Sequence, residues 1–134
     1  MKKQLLIAVF SVLTVVFATQ SVIGHIKGLT GPLFVWESTV YDFGTIELNK
    51  PVDHIFEFTN TGDVPLIISN AKASCGCTVA DYTREPIAPG SKGFVSARYN
   101  AAHAGAFTKT VTVTANTGEQ AVVLTLKGVV KAAE

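Results

Sequence analysis

After Pro32 the apolar residues recur at every second position. In VDHIFEFTN, Val52, His54, Phe56 and Phe58 fall on one side and Asp53, Ile55, Glu57 and Thr59 on the other. In GFVSARYN, Val95, Ala97 and Tyr99 oppose Ser96 and Arg98. In FTKTVTVTAN, Val111, Val113 and Ala115 oppose Thr108, Thr110, Thr112 and Thr114. In QAVVLTLKGVV, Val122, Leu124 and Leu126 oppose Val123, Thr125 and Lys127. A period of two sends alternate side chains to opposite faces of a strand, so each run has a core face and an outer face. Shorter candidate strands are Leu33 to Glu37, Val40 to Ile46, Leu66 to Ala71 and Thr78 to Tyr82. Asn60-Thr61-Gly62, Asn116-Thr117-Gly118 and Pro89-Gly90 supply turn chemistry between runs. Beyond the first twenty residues no sustained helical period occurs. The pattern predicts an all-β chain, an antiparallel two-sheet sandwich of immunoglobulin type with about seven strands over residues 33–134. Phe56, Phe58, Val111, Val113, Leu124 and Leu126 are its expected central layer, and Trp36 an apolar anchor in the first strand.

The opening MKKQLLIAVFSVLTVVFATQ has a different character. Lys2 and Lys3 precede an apolar run from Leu5 to Phe17, and Val16-Phe17-Ala18 is a small-residue cleavage site. Residues 1–18 read as a signal peptide forming a hydrophobic helix, with an uncleaved membrane anchor as the other reading, since no charge occurs from Gln4 to Ile26. Residues 19–32 read as a linker, with His25 in it. Either way the chain is expected to be exported to the periplasm, the cell envelope or the extracellular space, where disulfides persist. The membrane would be touched only through the N-terminal segment.

Without Lys2 and Lys3 the balance is nine basic to ten acidic residues. A near-neutral chain with no basic stripe does not attract phosphate backbones, so nucleic acid is not an expected partner. Paired carboxylates are absent, Asp81 and Glu85 reading as surface charge near a turn. A Ser–His–Asp set is not indicated by any spacing, so no enzymatic activity is expected.

Five stretches in order carry a family resemblance: Tyr41-Asp42-Phe43-Gly44-Thr45-Ile46; Phe56-Glu57-Phe58-Thr59-Asn60-Thr61-Gly62; Pro65-Leu66-Ile67-Ile68; Ala73-Ser74-Cys75-Gly76-Cys77-Thr78; and Pro86-Ile87-Ala88-Pro89-Gly90. Over residues 39 to 129 the chain resembles a bacterial envelope family of unknown function, domain of unknown function 1573. That family is similar to the Hydin-like (ASH) and major-sperm-protein branch of immunoglobulin-like domains. The resemblance implies a fold and an extracytoplasmic setting, and no reaction.

The only cysteines of the chain are Cys75 and Cys77, separated by Gly76. In an extended strand their Cα atoms would lie about 6.6 Å apart, at a rise of about 3.3 Å per residue. A disulfide wants Cβ atoms at about 3.8 Å, so pairing needs a tight bend, which Gly76 permits. The loop-entropy model gives such a small ring roughly 1.6 kcal/mol before strain. Two thiolates this close would also suit Cu(I), whereas structural zinc needs two further ligands. His54 and His103 match no zinc spacing, and the only methionine is Met1. Thiol–disulfide catalysis would need a helix N-terminus or a cation; Lys72 and Arg84 are the cations near in sequence. Disulfide, metal capture, redox use and simple packing all stay open for this pair. His54 is expected as a hydrogen-bonded residue at the sandwich rim, and His103 as a solvated residue of a small-residue loop. The threonine row from 108 to 114 is a solvent face or a flat binding surface. The sequence therefore points to a non-enzymatic interaction or structural module with an unidentified envelope protein as partner. The alternative is a Cu(I)-binding or thiol redox protein acting through Cys75 and Cys77.

Overall fold

The computed structural model describes residues 31–118 and 121–134. The expected signal helix at 1–18 and residues 19–30 of the linker lie outside the described residues. Every element within them is a strand: β1 (Phe34–Trp36), β2 (Val40–Glu47), β3 (Val52–Asn60), β4 (Ile68–Ala73), β5 (Thr78–Tyr82), β6 (Lys92–Tyr99), β7 (Gly105–Ala115) and β8 (Val122–Lys131). They form two four-stranded sheets, β1-β3-β6-β5 and β2-β8-β7-β4.

Two expectations change. There are eight strands where the fold class implied about seven, one for each of the eight runs read from the sequence, and the first two lie in different sheets. Glu37, Ser38 and Thr39 carry the chain from β1 in one sheet to β2 in the other. β2 then enters the second sheet in the same direction as β8 and pairs with it in parallel, Val40 opposite Thr125 and Tyr41 opposite Leu126. The second sheet is therefore mixed, not purely antiparallel. Alternation alone carries no information on strand direction, since period two is common to both kinds of pairing. The other ladders are antiparallel.

The inward faces are those read from the sequence. Phe56, Phe58, Val111, Val113, Leu124 and Leu126 are each at most 1% exposed and form the centre of the core. Phe34, Trp36 and Phe58 meet ring to ring, with centroids 4.8–5.0 Å apart. Trp36 thus anchors β1, although its buried Nε1 has no hydrogen-bond partner among the described residues. Gly93 faces the same cluster, where a Cβ would run into the Phe58 ring. A second cluster of Tyr99, Ala101, Phe107 and Val130 closes one end of the sandwich.

The two Asn-Thr-Gly turns share a task. Asn60 is fully buried and its side chain makes four hydrogen bonds. Its Nδ2 donates to the carbonyls of Val64 (2.8 Å) and Ile87 (2.9 Å). Its Oδ1 accepts from the amides of Leu33 (3.3 Å) and Gly62 (3.0 Å). Asn116, which is exposed, accepts from the Ile67 amide (2.8 Å) and donates to the Pro65 carbonyl (3.1 Å). Both asparagines therefore clamp the 64–67 segment, which leads from one sheet to the other. Leu66 bridges to Ile87 between them.

Candidate functional site

The Cys-Gly-Cys motif lies where the chain crosses from β4 in one sheet to β5 in the other. Ser74 fixes its start: its amide donates to the Thr110 carbonyl (2.8 Å) and its Oγ accepts from the Thr110 amide (3.1 Å). The Cys77 carbonyl accepts from the Asn100 amide (3.0 Å), which fixes its end. Between these anchors the backbone bends so that the two Cα atoms stand 5.3 Å apart, and Cys75 and Cys77 are a disulfide. Both residues are half-buried while Gly76 is exposed. Cys77 packs on the Tyr99–Phe107 end cluster, and Cys75 Sγ lies 3.9 Å from Thr78 Oγ1.

The structure does not bring either histidine into a metal site with this pair. No group of three or more His, Cys, Asp or Glu side chains converges among the described residues. His103 is exposed in the loop before β7. His54 is stacked on Tyr41, with centroids 3.7 Å apart and ring planes 10° from parallel, and meets Phe56 edge-on at 4.7 Å. Stacking, not the expected rim hydrogen bond, is the contact that defines its place. Burial against these rings holds its pKa below the usual histidine value. Cu(I) would need both sulfurs as thiolates, a donor set present only once the bridge is opened.

A second place, not singled out in the sequence, lies on the opposite flank. β1 covers β3 only as far as Phe58, and the Glu37 amide then donates to the Glu57 carbonyl (3.1 Å). Glu57 therefore turns its backbone groups away from β6. By alternation Ile55 and Asp53 do the same, and among the described residues no strand lies on that side of them. Beside Ile55 lies an open groove of about 310 Å³, lined also by Glu37, Ser38, Tyr41, His54, Phe56 and Glu57. Glu37 accepts a hydrogen bond from Lys92 (2.9 Å), which is the main reason the Lys92 pKa is raised. Asp53 stands 4.0 Å from Arg98. Such exposed pairs contribute little to stability.

The edges of β2, β4 and β5 are guarded. β2 is bulged between Asp42 and Thr45, where Gly44 adopts φ +67°. β4 is bulged next to Ile68. At β5 the Tyr82 hydroxyl donates to the Ser69 carbonyl of β4 (3.4 Å), and Arg84 lies 4.0 Å over the Tyr82 ring. The disulfide closes the other end of β5. Bulges, charges and cross-edge caps are the usual means of keeping an edge from pairing. β3 keeps continuous register with β6 from Val52 to Thr59 and has no bulge or cap at Asp53 and Ile55. The available sequence signals were the Glu37-Ser38-Thr39 break and the Asp53–Ile55–Glu57 outer face.

Two sheets of strand order 1-3-6-5 and 2-8-7-4, with the first strand shared between them, define an immunoglobulin-like sandwich. The chain belongs to the family described as protein of unknown function (DUF1573), whose model matches residues 34–130. It is similar in fold to a protein of unknown function from Porphyromonas gingivalis W83, with TM-score 0.66 and 15% identity. That match covers 80% of this chain, which spans 50% of the Porphyromonas protein. It is also similar to the ASH/PapD-like domain 7 of human CEP192, with TM-score 0.64 and 14% identity over 85% of this chain and 98% of that one. A secreted serine protease, VesC of Vibrio cholerae, shares the fold over 78% of this chain and 24% of its own, with TM-score 0.56 and 17% identity. No curated protein matches the chain.

Proposed function

We propose that the chain is an exported, non-enzymatic interaction module of the cell envelope that takes an extended segment of a partner protein onto the free edge of β3. One observation carries this reading: the backbone groups of Asp53 and Ile55 face no partner strand among the described residues, with a groove beside Ile55, while the edges of β2, β4 and β5 are bulged or capped. An extended segment added to an open edge gains main-chain hydrogen bonds and sets alternate side chains into the adjoining surface. Export is supported by Lys2, Lys3 and the apolar run that follows, and by a disulfide, which suits an oxidising compartment. Cu(I) capture or thiol redox chemistry at Cys75 and Cys77 is the alternative, and it rests on the bridge opening.

The test places a photoreactive residue at Asp53 or at Val79, on guarded β5, in living cells. An envelope protein is captured from position 53 and not from 79, and Ile55→Pro in the same chain abolishes the adduct. Equal capture at both positions, or capture that survives Ile55→Pro, overturns the edge as the site. N-terminal sequencing of the envelope protein finds a start near Thr19; retained Met1 makes the segment an anchor.

A further inference from the structure

We infer that the Cys75–Cys77 bridge is a thiol–disulfide exchange site that takes two electrons from a partner dithiol, with Lys109 as the cation that receives the Cys75 thiolate. This site is independent of the β3 edge and deepens the alternative named above. The β4–β7 ladder sets Ala73 opposite Val111, and the two Ser74–Thr110 hydrogen bonds carry it one residue further. Cys75 is the next position of that register, and the residue it meets there is Lys109. Lys109 pairs with the buried Leu126 of β8, so its side chain leaves β7 on the inner face, an unusual place for a lysine. It is half-buried and makes no ion pair among the described residues. Its Nζ stands 6.0 Å from the centroid of the Tyr99 ring, and Cys77 packs on the cluster that holds the same ring. The cations near in sequence are turned elsewhere. Lys72 is exposed opposite Thr112, and Arg84 is engaged by Asp81 and Tyr82.

The bridge is placed to open without loss of the fold. It joins residues only two apart, and β4 and β5 are already held by β7 and β6. The backbone on either side of it is bonded to Thr110 and Asn100 whether or not the sulfurs are joined. In the exchange, a thiolate of the partner attacks Cys77 Sγ, the bond between the two sulfurs breaks, and Cys75 leaves as a thiolate with Thr78 Oγ1 3.9 Å away. The partner's second thiolate then attacks its own sulfur in the mixed disulfide and releases Cys77. One S–S bond is broken and one formed, two electrons pass to this chain, and the two protons of the partner dithiol are taken up by the released thiolates. An ammonium stabilises a thiolate and does nothing for a neutral disulfide, so Lys109 favours the open form.

The probe is dithiothreitol, mixed in graded ratios of its reduced and oxidised forms with the full chain at pH 8 in the absence of oxygen. The fraction of open bridge is read by alkylation and mass, and the fold by amide resonances. The bridge opens and re-forms reversibly while the sheet resonances stay dispersed. Lys109→Met raises the ratio of reduced to oxidised dithiol needed for half-opening by roughly threefold or more, and Lys109→Arg restores the wild-type ratio. Should Lys109→Met unfold the chain, Lys109→Gln takes its place in the same measurement. A bridge that opens only in urea, or whose opening collapses the resonances, is a structural cross-link and overturns the exchange site. Identical ratios for wild type, Lys109→Met and Lys109→Arg overturn the part given to Lys109. None of these outcomes touches Asp53 or Ile55, so failure here is distinct from failure of the edge.

Discussion

Replacing Asn60 with Ala tests whether the buried clamp holds the crossing between sheets. The substitution deletes four hydrogen bonds at a side chain with no solvent exposure. The Ile87 carbonyl keeps a partner, because the Leu66 amide also donates to it (2.9 Å). Three groups lose theirs: the amides of Leu33 and Gly62 and the carbonyl of Val64. At about 0.5–1.5 kcal/mol each, with the higher figure where water cannot enter, the loss is about 2–4 kcal/mol. For a domain of this size that lowers Tm by roughly 10–25 °C. Urea and thermal unfolding of Asn60→Ala beside Asn116→Ala give the measurement. Asn116 makes the same kind of clamp on the same segment but is exposed, so water replaces what it loses and its change costs about 0.5–1 kcal/mol. Equal, small losses for the two would mean that water reaches Asn60, and would refute burial as the source of its importance.

Phe58→Ala empties the ring cluster with Phe34 and Trp36 and should cost about 3–5 kcal/mol by chemical denaturation, most of the stability of a single domain; a Tm shift of a degree or two would remove Phe58 from the core. His54 has a folded pKa below its ordinary value, so the unfolded chain takes up its proton first. Stability therefore falls as pH drops from about 6.5 toward the lower folded pKa, and His54→Phe should flatten that limb of a Tm-versus-pH profile while leaving the neutral-pH fold intact. Replacing both Cys75 and Cys77 with Ser should leave the sandwich folded at a loss on the order of 1–2 kcal/mol, with complete unfolding as the contrary result. Under reducing conditions Cu(I) should raise the Tm of the wild type and not of that double variant if the thiols capture metal; identical curves would exclude it.

The core was legible because burial in a sheet leaves a period-two trace. Phe56 and Phe58, Val111 and Val113, Leu124 and Leu126 are each separated by one outward residue and all face inward. The direction of β2 was not legible, since a parallel and an antiparallel neighbour impose the same alternation. His54 shared a face with Phe56 and was rightly placed inward, yet its partner Tyr41 comes from β2, beyond the reach of local pattern. The free edge of β3 is a property of where β1 stops. Three residues of β1 pair with β3 before the chain leaves for the other sheet, and the Glu37-Ser38-Thr39 break marks that exit without saying which strand it uncovers.

The parallel ladder between β2 and β8 also sets an order of events. Thr125 follows its partner Val40 by roughly 85 residues, which synthesis at about 5–20 residues/s delivers in roughly 4–17 s. Until then β2, with Tyr41 and Phe43 in it, has no neighbour in its sheet. Pairing the two ends of a chain demands closure of its longest loop, the kind of contact that slows folding most. The emerging chain thus stays open to handling by other factors until its last strand appears. A stop shortly before Val122 would leave β2 without a ladder partner and β7 paired with β4 alone, so truncated chains should be cleared by proteases, not persist as smaller domains.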